Sequence, residues 1–251
     1  SWIVRTYWVN EVIHLARGNW SLAREYSNRA LSVLPNDPRT LYSRTILEYV
    51  LGNFEEGEAY LKRLLDTVGR VPPGPTAEHA VFVMAASIAG WITGRSDWSQ
   101  VAENAAAVVL NSPSVTPLLS IITRPGLGLM AAQRGDVAEA SELYDALKSS
   151  PQIYLAILST RVLGLLARTL GTLEEAVAHF EDALTFCRNG GLEPELGWIC
   201  FDYAETLLQR DSTGNRRKAV SLLDESLKIS GELGMKPLVE RVLSKREILK
   251  A

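Results

Sequence analysis

The side chains able to carry acid–base, redox or metal chemistry in this sequence are few: three histidines, two cysteines and several adjacent carboxylates. His14, His79 and His179 each stand alone, with no Cys or carboxylate at metal-ligand spacing, and are read as structural or solvated. Thr76, a favoured helix N-cap type, places His79 in a first helical turn. Cys187 and Cys200 are 13 residues apart and lack two further ligands for zinc. Isolated thiols of this kind behave as small buried hydrophobes. Glu55/Glu56 and Glu174/Glu175 fall where helices begin, and the helix dipole favours acidic groups there without any catalytic role.

The remaining motifs are equally spare. Gly126-x-Gly128 invites a phosphate-loop reading, but no strand pattern precedes it and Ala131 stands where a third Gly is needed. No Gly-Lys-Ser/Thr, Gly-x-Ser-x-Gly or His-Glu-x-x-His occurs in the chain. These glycines are read as points of close helix packing. Arg216, Arg217 and Lys218 form the one short basic cluster, beside an insertion at 211–214, and read as a solvated loop and helix start. The expectation is a chain with no catalysis, cofactor or metal of its own.

The elements that would position any site are written in a recurring phrase. It appears as Gly18-Asn19-Trp20-Ser21-Leu22-Ala23, Gly52-Asn53-Phe54-Glu55-Glu56-Gly57, and Ser96-Asp97-Trp98-Ser99-Gln100-Val101. It returns as Gly135-Asp136-Val137-Ala138-Glu139-Ala140, Gly171-Thr172-Leu173-Glu174-Glu175-Ala176, and loosely as Gly214-Asn215-Arg216-Arg217-Lys218-Ala219. Gly18 and Gly52 are 34 residues apart, Gly135 and Gly171 are 36 apart. A Gly that stops one helix in the left-handed conformation, followed by Asn, Asp or Thr, is the chemistry of one helix ending and another starting. Glu56, Gln100, Glu139 and Glu175 complete the capping-box spacing in four copies.

Downstream of each phrase the apolar residues keep helical spacing, as in Ala176, Phe180, Ala183 and Leu184. The small residues Ala23, Gly57, Ala140, Ala176 and Ala219 share one position, where two helices can approach closely. Upstream lie further periodic stretches at 3–16, 41–51, 80–92, 118–133, 153–170 and 195–209. The spacing predicts an all-α chain: six antiparallel helix pairs, at about 1–36, 37–70, 76–112, 116–150, 151–190 and 192–234, forming one domain. A last helix over 237–250, opened by Pro237, covers the final pair. The Val71-Pro72-Pro73-Gly74-Pro75 segment breaks any helix and reads as a long loop or a hinge. A second interruption falls at 111–117, and Pro125 predicts a kink in the helix that follows.

This pattern resembles the tetratricopeptide repeats, whose 34-residue units carry Leu-Gly in the first helix and Gly-Asp/Asn-aromatic-x-x-Ala at the turn. Leu163-Gly164 with Ala176, Phe180 and Ala183 matches it, as do Gly18, Ala23, Ala30 and Pro35. Gly57 and Pro125 depart from it. The resemblance implies an α-solenoid. From Gly126 onward the chain also resembles the C-terminal repeat tails of large bacterial signalling regulators. The stretches that carry this are Gly126-Leu127-Gly128-Leu129, His179-Phe180-Glu181-Asp182-Ala183-Leu184-Thr185-Phe186-Cys187, Asp202-Tyr203-Ala204-Glu205-Thr206-Leu207-Leu208 and Glu232-Leu233-Gly234-Met235-Lys236-Pro237-Leu238. In that family the tails follow an AAA- or STAND-type ATPase module, often with a cyclase or a LuxR-type DNA-binding domain elsewhere.

In stacked helix pairs the first helix of each unit lines a concave face. Alignment on the repeated turn puts Arg5 and Trp8, Tyr42 and Tyr49, Met84 and Trp91, Arg161 and Arg168, and Phe201 and Glu205 on that face. Aromatic and Arg side chains are the types that dominate binding hot spots. Arg161 and Arg168 are seven residues apart, so that one acidic group could meet both. The resulting expectation is a non-catalytic interaction or ligand-sensing region of a bacterial regulator. It would capture a protein, peptide or small molecule in its groove and act on an ATPase or output domain of the same parent chain. A free-standing scaffold is the competing reading, and an enzyme with a hidden site ranks below both.

Composition bounds the rest. The 251 residues are 47% hydrophobic and 22% charged, the balance of a folded protein rather than a disordered one. Lys+Arg less Asp+Glu is 26 − 29 = −3, so no basic excess points to nucleic acid or a membrane surface. The longest apolar stretch, 80–92, is too short to span a bilayer. Two cysteines make no disulfide framework, which suggests a reducing, cytoplasmic setting. Ser1 in place of Met is read as a boundary within a longer chain.

Overall fold

Each recurrence of the Gly phrase turns the chain from one helix into the next. In a computed structural model, which describes residues 2–210 and 214–250, Gly18, Gly52, Gly135 and Gly171 all adopt positive φ between 67° and 83°. A Cβ there would be strained, which is why the phrase begins with Gly. Residues 211–213 of the expected insertion lie outside the described residues. Thirteen helices result among those described: α1 Trp2–Ala16, α2 Trp20–Val33, α3 Pro38–Leu51, α4 Phe54–Val68, α5 Ala77–Thr93, α6 Ser99–Leu110 and α7 Pro117–Arg134. They continue as α8 Val137–Lys148, α9 Ser159–Thr169, α10 Leu173–Gly190, α11 Glu193–Arg210, α12 Asn215–Leu233 and α13 Lys236–Lys250. The chain is all-helical, with no strand among the described residues. No helix is long and apolar enough to cross a membrane.

Packing divides the helices into two rows. Successive odd-numbered helices from α1 to α11 pack closely on one another, whereas among the described residues the even-numbered helices meet through long side chains, as where Tyr144 of α8 bonds His179 of α10 and Arg188 of α10 bonds Glu225 of α12. Burial follows the same division. Every residue from Thr40 to Val50 in α3 is buried, while α10 buries only a stripe of Ala176, Phe180, Ala183, Leu184 and Cys187. Small residues set the distance between rows. Ala23, Ala140, Ala176 and Ala219 are fully buried. A Cβ on Gly57 would stand 2.7 Å from the Tyr49 ring, so the aromatic ring of α3 demands Gly where other units carry Ala. Gly164 makes the same room for Phe180, and Gly128 for Val162, which accounts for both glycines by packing.

Two local expectations are corrected. Only Asp136 of the Gly-phrase residues caps its helix, its side chain accepting from the Glu139 amide at 3.1 Å. Asn53 instead donates to Glu48, and Thr172 to the Ala167 carbonyl, both tying back to the preceding helix. The acidic groups three residues on reach other helices: Glu56 takes Arg44 and Glu175 takes Tyr144. Second, α9 starts at Ser159 rather than near 153. Its apolar lead-in turns inward, its backbone satisfied by Ser159 Oγ on the Ile153 amide and by Glu195 on the Leu158 amide. α7 runs as one helix from Pro117 to Arg134 with Pro125 inside it.

The last helix also does more than cover the final pair. α13 packs on α12 and reaches across to α3 and α5. Pro237 sits against Gly52, and the Arg241 guanidinium donates to the Trp91 carbonyl at 2.5 Å. At the other end, the Trp20 indole donates to the Leu233 carbonyl at 2.6 Å, and the Leu233 side chain covers Gly18. The first pair therefore meets the last.

Candidate functional site

The centre of the molecule is built where α9 and α11 face each other. Arg161 and Arg168 stand two turns apart on α9; Glu195 and Asp202 stand at the same spacing on α11. Arg161 Nη1 donates to Glu195 Oε2 at 2.9 Å, and its Nε to Asp202 Oδ2 at 2.7 Å. Arg168 donates to the Asp202 carbonyl at 3.4 Å and pairs with Glu205 at 3.5 Å. Each arginine thus takes its own carboxylate partners from α11, Arg161 those of Glu195 and Asp202 and Arg168 that of Glu205. Arg161 is 3% exposed and Asp202 fully buried, so this pairing fixes α9 to α11.

Burial sets the electrostatics. Glu195 has its carboxyl pushed up to about 7 by desolvation, with Arg161 and the Leu158 amide holding it from rising further. Two guanidinium groups, those of Arg161 and Arg241, lie over the Trp198 ring, each with its carbon 5.5 Å from the ring centroid. Arg241 has its proton affinity lowered by burial, against the pull of Asp202 and Glu205.

A central cavity of about 30 Å³ opens beside this cluster. Its walls come from α1, α2, α3, α5, α7, α11 and the inward segment 154–157, with Arg161 and Glu195 as the charged groups. The inward segment is tied to α3, where the Tyr42 hydroxyl donates to the Leu155 carbonyl at 2.5 Å. A second, larger cavity of about 540 Å³ lies between α13 and the helices α4, α5 and α11. Phe201, Glu205, Arg241 and Lys245 line it, and Lys245 pairs with Glu205 at 2.7 Å.

The ten residues expected on the concave face separate into three groups. Trp91 and Arg161 line the central cavity, with Tyr42 holding its inward segment; Phe201 and Glu205 line the larger one, with Arg168 beside Glu205. Tyr49 and Met84 are buried, Tyr49 with its hydroxyl on Glu58 beside a third cavity of about 200 Å³. Arg5 and Trp8 stand apart on α1, Arg5 exposed over the Trp2 ring and Trp8 beneath Arg39. Glu195, Trp198, Asp202, Tyr154 and Arg241 were not among those expected. The seven-residue spacing of Glu195 and Asp202, mirroring that of Arg161 and Arg168, is the signal that could have found two of them.

The titratable groups first considered for chemistry are held in packing. His79 bonds the Thr76 hydroxyl at 2.8 Å, His179 bonds Tyr144 at 2.9 Å, and His14 stacks on Tyr26. Burial pushes both thiols up, so neither is a reactive thiolate near neutral pH. Compared with protein-family models, curated proteins and solved structures, the chain has no significant match.

Proposed function

We propose that this chain is a non-catalytic interaction and ligand-sensing region, a superhelix of tetratricopeptide-like helix pairs whose inner row carries the binding face. The observation that carries this reading is the convergence of side chains from α1, α3, α5, α7, α9 and α11 on central cavities. Sites assembled from many elements respond to a ligand by changing how those elements sit together, which is how a sensor biases an attached domain. On this reading the attached domain is an ATPase or output module of a bacterial regulator, as the resemblance of its C-terminal half implies. The exposed face of α1, with Trp2, Val9 and Ile13, suits packing against such a further element.

The larger cavity is the mouth of the inner face, and Ser244 on its wall is exposed. Ser244→Trp fills that mouth with an indole while leaving the Arg161 cluster untouched. Affinity capture with the full chain should recover a partner that S244W loses and that the outer-face variant Phe186→Ala retains. A partner held equally by wild type and S244W contradicts the inner face as the binding face.

A further inference from the structure

The chemistry of the central cavity narrows what could occupy it, an inference that rests on the inner face being a binding face. Two donors beside it have no partner: Arg161 Nη2 and Trp91 Nε1, on residues 3% and 8% exposed. Buried N–H groups left unpaired are costly, and both call for an acceptor. Charge then decides the class of that acceptor. Glu195 and Asp202 already face Arg161, so an entering anion would be a third negative group around one guanidinium. Asp202 Oδ1 also lacks a partner, but Asp202 is not on the cavity wall, and an entering cation would stand against the Arg161 guanidinium that is. An uncharged acceptor, such as a carbonyl oxygen, meets neither penalty.

The walls define the rest of the molecule. Ile46, Ile88 and Leu129 are apolar, and the Trp91 and Trp198 indoles offer flat faces. A planar apolar body suits them. At about 30 Å³ the cavity holds water as it stands, so a larger occupant must move one wall. That wall is the inward segment, which contributes Tyr154, Ala156 and Ile157. Ala156 sits at φ 59°, a left-handed conformation that a residue with a Cβ rarely adopts. An outward shift of the segment gives up the Tyr42–Leu155 bond that ties it to α3, while the helices keep their own hydrogen bonds.

We propose that the central cavity binds a small, uncharged, planar molecule whose carbonyl-type oxygen accepts from Arg161 and Trp91, admitted by an outward shift of 154–157. Calorimetric titration of the full chain with benzamide, benzoate and benzylamine tests the class directly. Benzamide should bind saturably, with benzoate and benzylamine at least tenfold weaker. Trp91→Phe keeps the ring and removes one donor, and should weaken benzamide about five- to tenfold, the worth of one neutral hydrogen bond. No saturable benzamide binding, benzoate binding as tightly, or W91F binding unchanged would each overturn the proposal. Loss of benzamide binding in a chain whose partner capture still depends on Ser244 overturns the ligand class alone, leaving the inner face as a binding face.

Discussion

Glu11 shows how much a single buried side chain can weigh in this molecule. It is fully buried on α1, and neither carboxylate oxygen has a hydrogen-bond partner. Desolvation raises its proton affinity well above the ordinary carboxylate value; Arg44 lowers it less, and Asp37 raises it slightly. The folded state therefore binds this proton more tightly than the unfolded chain. The stability it gives is full below the ordinary carboxylate range and is lost as pH rises through the raised folded value. Glu11→Gln should flatten that slope, so that the variant gains stability over wild type as pH rises from 5 to 8.5. Denaturant midpoints at the two pH values measure this, and parallel pH profiles would count against it. At this scale the sequence was half legible. Arg161 and Arg168 were identifiable by spacing on one helix face, but the partners of Arg161 lie 34 and 41 residues away on α11, and those of Arg168 34 and 37. Nothing in a periodic pattern says which carboxylate of a later helix will be buried.

At the scale of the helices, legibility depended on whether a signal was local. The Gly phrase encodes left-handed helix stops, and apolar spacing encodes the faces that pack; both were readable because both are properties of one short stretch. The capping boxes were misread because the same Asn, Thr and Glu side chains found better partners on neighbouring helices, such as Arg44 for Glu56. The 153–158 segment was misread for a related reason. Its apolar residues suit a helix face by spacing, yet they fill the centre in a turn whose amides are met by Glu195 and Ser159. Gly57 tests the packing explanation for a departure from the repeat pattern. Gly57→Ala improves helix propensity by about 1 kcal/mol in isolation. The new methyl would press on the Tyr49 ring at 2.7 Å, and overpacking of this kind costs about 1–3 kcal/mol. The substitution should lower stability in thermal unfolding, and Gly57→Ala with Tyr49→Leu should recover it. A stabilised single variant would show that the ring yields freely.

Over the whole molecule, contacts join units remote in sequence. An open repeat array is stabilised by neighbour contacts alone and can fray from either end. Here Trp20 bonds Leu233, Pro237 covers Gly52 and Arg241 holds the carbonyls ending α5, so the ends restrain each other. These contacts span up to 213 residues and were invisible to a repeat pattern, which describes only one unit and its neighbour. They also bring the two ends of the inner row together, with a small cavity beside Arg161 and a larger one beneath α13. The account stands on that centre being where a ligand is taken up. Amide hydrogen exchange of the full chain, with and without saturating benzamide, tests it most directly. The prediction is slowed exchange confined to 153–158 and the facing turns of α5, α9 and α11; protection confined to the outer helices α2, α6 and α10, or none anywhere, would contradict it.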